Sequence, residues 1–133
     1  MLEMVVATGL MAAVLVPALS VVRDAMSKSR SLHRQSLLAN YAVRVLEEQS
    51  ALVAGNWANG NTSGSFVSEG HADIQYTVTK SDALVDGGLS DQLMHIQVTV
   101  YDDADSDTTI DTNELRVDYR TKVAKLGSYE NAE

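Results

Sequence analysis

The sequence has no cysteine, a single proline (Pro17), a single tryptophan (Trp57) and a single phenylalanine (Phe66). Without thiols there are no disulfides, no thiolate metal sites and no cysteine catalysis, and the compartment stays open. Bases are scarce where acids are dense. Residues 55–133 hold five Lys or Arg against fourteen Asp or Glu, a balance of −9, while residues 1–54 hold five against four, +1. The net charge of −8 is therefore a property of the C-terminal part. That part lacks the clustered cations that phosphates require, which argues against nucleic acid as its partner and against an anionic lipid surface as its docking site. A chain of 133 residues has room for one domain.

Charge is missing altogether from one stretch. Met4 to Val22 is uncharged and largely apolar, with Glu3 immediately before it. These residues would make a helix of about 28 Å, long enough to cross a bilayer. A carboxylate at the lip of such a helix is costly in lipid and marks a functional position. A secretory signal peptide opens on bases and closes on a small-residue cleavage site. Here the run opens on an acid, and no such site followed by a change in composition appears. An ordinary single-pass anchor is the simpler alternative.

Helix formers continue past Val22, and after Pro17 neither Pro nor Gly recurs until Gly55. Leu38, Tyr41, Ala42, Val45, Leu46, Leu52 and Val53 recur at spacings of three and four, the stripe of an amphipathic helix. The pattern predicts one helix from about Leu2 to about Ala54, kinked at Pro17 and ended by Gly55. Residues 1–23 suit lipid on all sides, and residues 24–54 are apolar on one face. The stretch Asn56 to Gly70 is rich in Gly, Asn and Ser and reads as a loop, pinned to the core by Trp57 and Phe66.

Three period-two patterns follow. They are Ile74, Tyr76, Val78; Met94, Ile96, Val98, Val100; and Leu115, Val117, Tyr119, Val123. Their apolar positions make one face of an antiparallel sheet, with the other face polar. Gly127 to Glu133 reads as a frayed polar tail. A one-faced sheet and a one-faced helix each need a cover, and each can supply the other's. The fold expected is α+β, with a long N-terminal helix on an antiparallel sheet of about three to four strands within residues 55–133.

Taken with that architecture, Met1-Leu2-Glu3-Met4-Val5-Val6-Ala7 and the apolar run to Pro17 resemble the type IV pilin-like family, the pilins and the pseudopilins of type II secretion. The C-terminal hairpin pattern is closer to minor pseudopilins. The resemblance implies a structural subunit, held in the inner membrane with its C-terminal domain on the extracytoplasmic side, then extracted into a helical filament. Its partners would be membrane lipid, other copies or related subunits, a prepilin peptidase and the assembly machinery. Glu3 would be the family's register glutamate, paired with the methylated N-terminal amine of a neighbour. Met4, Val5, Val6, Leu10, Val14, Leu15 and Pro17 would line the filament core. In the family two residues, usually Phe-Thr, would stand ahead of Met1, after a cleaved leader. Pro17 lies about one helical turn nearer the glutamate than in many major pilins.

A second pattern stands apart from the helix. From Asp103 to Glu114, oxygen-bearing residues fall at positions one, three, five, seven, nine and twelve, the spacing of a helix–loop–helix calcium loop. Asp103, Asp105, Asp107, Asp111 and Glu114 are the candidate Ca²⁺ ligands. Position six is Thr108 where a glycine is usual, and strands are expected on both sides. A calcium site and a solvated acidic loop both remain open. His33, His71 and His95 share no ligand spacing, and no nucleophile with a base and no phosphate-binding glycine loop is present. The residues point away from an enzyme.

Overall fold

The computed structural model describes residues 1–128. Helix α1 spans Leu2–Gly55 and continues unbroken through Pro17. Four strands follow: β1 (Gly60–Phe66), β2 (His71–Ser81), β3 (Leu93–Asp102) and β4 (Arg116–Ala124). They form one antiparallel sheet in the order β1-β2-β3-β4, each strand beside its sequence neighbours. The chain divides into two compact units, Met1–Arg34 and Gln35–Glu133. The first consists of helix. The second contains the rest of α1 and the whole sheet, the expected α+β arrangement. The polar tail expected at its end falls outside the described residues from 129 onward.

Within the second unit the helix and sheet cover one another. Leu38, Ala42, Val45 and Val53 pack into one core with Phe66, Ile74 and Val78, and with Met94, Ile96, Val98 and Val100 of β3. Burying one such aliphatic side chain is worth about 1.5–3 kcal/mol. Tyr41 and Leu46 are partly buried as the stripe requires, but Leu52 is exposed. Its place on the stripe goes to Gln49, which is buried and accepts a hydrogen bond from Lys80 Nζ at 3.2 Å. The cation keeps the amide oxygen from being stranded in the core.

Two sequence expectations need correction. The segment Asn56 to Gly70 is not all loop, because Gly60–Phe66 pairs with β2 from Gly60↔Lys80 to Phe66↔His71. Strand β1 is an edge strand whose ladder bonds go to β2, so it forms without an apolar alternation of its own. Phe66 ends it in the core, and its ring stacks on Tyr41 with centroids 4.1 Å apart. Gly70 then turns the chain into β2 with φ +85°, a backbone state that glycine adopts freely. The second correction concerns the helix end. The helix stops at Gly55, but Gly55 does not take the left-handed cap conformation. Instead Asn56 N–H donates to Leu52 O at 2.8 Å and prolongs the helical ladder by one bond.

Candidate functional site

The first candidate is the start of α1. None of its membrane-length apolar window is buried, and the helix is long and apolar enough to cross a membrane. Met4, Val5, Val6, Leu10, Val14 and Leu15 are all exposed, as is Pro17. Between Met4 and Val22 the only hydroxyls are Thr8 and Ser20. Thr8 Oγ1 donates to the carbonyls of Met4 and Val5, each at 3.0 Å. Ser20 Oγ donates to Pro17 O at 2.8 Å. Both polar side chains are thus satisfied within their own helix, the condition a segment must meet in lipid or in an apolar bundle. Glu3 lies in the first turn, where the helix dipole favours an acid.

The second candidate is the connection from β3 to β4. Asp103, directly after β3, has a relative exposure of only 2%. Its backbone N–H donates to Asp73 O at 2.7 Å, which fixes the loop to the start of β2. Its carboxylate then organises the turn. Oδ1 accepts from Asp107 N–H at 3.1 Å, and Oδ2 accepts from Thr108 N–H at 3.1 Å and Gln75 Nε2 at 3.4 Å. Glu114 closes the far end, with Oε1 accepting from Ala104 N–H and Oε2 from Asp111 N–H, both at 3.1 Å.

The five predicted ligands fall into two groups of three that share Asp105. Carboxylate oxygens of Asp103, Asp105 and Glu114 lie within 4.8 Å of one another, as do those of Asp105, Asp107 and Asp111. Thr108 holds position six with φ +63°, the left-handed geometry that a glycine would adopt there. Repulsion among the acids is offset by donors. The Asp107 carboxyl is held below its usual range by the hydroxyl and backbone N–H of Thr109, at 2.6 and 2.7 Å. Oxygens so placed suit a hard cation. The same turn is also closed by its own N–H groups, so its shape does not depend on one.

Several organising residues carry no signal in the sequence pattern. Tyr101 is buried on the face expected to be polar, and its hydroxyl donates to Thr108 O at 3.0 Å. Burial first, and then the charges of Asp103, Glu114 and Asp107, push its phenol above the ordinary value. Asp82 joins three separate segments. It accepts from Asn59 Nδ2 at 2.8 Å, Asp91 N–H at 3.1 Å and Trp57 Nε1 at 3.4 Å. Trp57 and Phe66 pack on the core, as expected of the two large apolar residues in that stretch. No histidine joins either acidic group. Compared with protein-family models, curated proteins and solved structures, the chain matches none.

Proposed function

We propose that this chain is a structural subunit of a helical pilus or pseudopilus filament. The observation that carries the reading is a division within one helix. The N-terminal part of α1 is apolar, unburied and internally satisfied in its hydroxyls, while its C-terminal part is covered by the sheet. Roughly 20 bare apolar residues need lipid or the same segment of other subunits. Before assembly the segment spans the inner membrane, with the sheet unit on the extracytoplasmic side. On assembly the apolar helices bundle, and a carboxylate carried into that bundle must be paired. The amine at the start of a neighbouring subunit pairs with Glu3 and sets the axial stagger. Leader removal, amine methylation and the driving motor belong to partners, and the chain itself performs no chemistry.

The test is negative-stain microscopy of sheared surface material from cells carrying the wild type, Glu3→Ala or Glu3→Leu. The variants insert in the membrane but give few or no filaments. Normal filaments from either variant would remove the register role. A second reading is a non-polymerising, membrane-anchored protein whose acidic β unit binds Ca²⁺ or a partner. It is favoured by the convergence of Asp103, Asp105 and Glu114 around a position six already in the left-handed state.

A further inference from the structure

The two units carry opposite charge. Met1–Arg34 holds four bases against two acids, +2, and Gln35–Glu133 holds six against sixteen, −10. All four bases of the first unit lie between Arg23 and Arg34, directly after the apolar run. At about 100° per residue, Arg23 and Arg30 fall within about 20° of one another, a guanidinium stripe about 10 Å long. Arg23 and Arg30 are exposed and line one shallow groove with Met26 and Ser27. Both are open to a partner in the single chain.

We infer that this stripe docks on the acidic unit, Gln35–Glu133, of a second copy of the chain. The inference rests on the filament reading above. Two observations favour this occupant over lipid phosphates. One is reach. If Val22 marks the edge of the hydrocarbon, Arg30 lies about 12 Å beyond it along the helix, whereas the headgroup layer is about 5–7 Å thick. Arg23 can touch headgroups, whereas the Arg30 backbone stands about 5–7 Å beyond them, at the limit of its side chain's reach. The other is charge complementarity. The densest acidic stretch is residues 102–114, with six acids and no base, and Asp105, Asp107 and Asp111 are exposed within it. Arginine forks match carboxylates in paired hydrogen bonds, so such a contact fixes rotation about the filament axis as well as height.

The experiment uses the full-length chain in cells. Three forms are compared: wild type, the Arg23→Glu/Arg30→Glu reversal, and that reversal combined with Asp105→Lys, Asp107→Lys and Asp111→Lys. The reversal reaches the membrane at wild-type level but loses its filaments, and the combined swap regains them. Wild-type filament counts from the reversal, or no recovery in the swap, overturns the inference. In a parallel arm, purified wild type and reversal are mixed with vesicles of phosphatidylcholine with or without phosphatidylglycerol. If the reversal loses binding to the anionic vesicles yet forms filaments, the stripe serves headgroups and the inference fails. Wild type without filaments sinks the filament reading too. Wild-type filaments with an unaffected reversal sink only this docking.

Discussion

Tyr76 lies across Gly64, its direct partner in the β1–β2 ladder, so closely that a Cβ on Gly64 would fall 2.5 Å from Tyr76 Oη and 2.8 Å from Cε1. The ring cannot swing aside freely. It packs against Phe66 at 5.3 Å between centroids, and Phe66 is stacked in turn on Tyr41 of α1. The glycine in this edge strand is therefore a seat for an aromatic ring, and the aromatic row links the sheet edge to the helix.

Gly64→Ala should destabilise the chain by about 1–3 kcal/mol, the range for overpacking a filled site. Gly127→Ala is the control, because a Cβ there meets nothing within 4 Å. Urea unfolding of the full-length protein in detergent, followed by Trp57 fluorescence, measures both. Equal midpoints for the two variants would show that the ring yields without cost.

Asp82 predicts an acid sensitivity. Its carboxyl is held below the usual value by the Asp91 N–H first, then by Asn59, with a smaller contribution from Trp57. The folded state thus favours the ionised form. The stabilisation is complete above the ordinary carboxyl value, near 3.8, and is lost as pH falls through the lower folded value. Asp82→Asn places an amide where donors converge and should lower the melting temperature at pH 7. It should also flatten the part of the melting curve's pH dependence below about pH 4. If wild type and variant lose stability in parallel on acidification, Asp82 is not a source of that sensitivity.

Legibility in the sequence followed the range over which each pattern was written. Met94, Ile96, Val98 and Val100 announce a strand because its buried face is encoded within seven residues. Leu38, Ala42, Val45 and Val53 announce a helix face in the same way. The five acids of the β3–β4 loop were legible as a group because their spacing is local, and the structure places them in two groups of three that share Asp105. Strand β1 was not legible. Gly60 to Ser65 has no apolar alternation, since its partner strand supplies both the hydrogen bonds and the covering ring. Asp82 was equally silent, because the groups it binds lie 23 residues before it and 9 after it.

The acidic loop carries two readings of its own, a calcium site and a solvated turn. On the calcium reading, millimolar Ca²⁺ raises the melting temperature and releases heat in calorimetry. Asp103→Ala abolishes both effects, since it removes a carboxylate and two bonds to the turn. Thr108→Gly leaves the affinity close to wild type, because the left-handed backbone it relieves is already present without the ion. On the solvated-loop reading, no heat appears and no variant gains a calcium response. Either result leaves the Glu3 test standing, because Glu3 lies in the first turn of α1 and outside the loop.

The two halves of α1 should respond in opposite ways to the same substitution. Leu38 is fully buried against the sheet, so Leu38→Ala should cost about 2–5 kcal/mol in the Trp57 unfolding assay. Leu10 is 64% exposed and touches no core, so Leu10→Ala should leave that unfolding within about 0.5 kcal/mol of wild type. Its effect belongs in membrane extraction and filament yield, where the lost surface would have met lipid or another helix. A Leu10→Ala variant that unfolds as easily as Leu38→Ala would mean that the apolar segment is a core of this chain. It would then be unavailable to a membrane or to other subunits, and the division of the helix on which the filament reading rests would be gone.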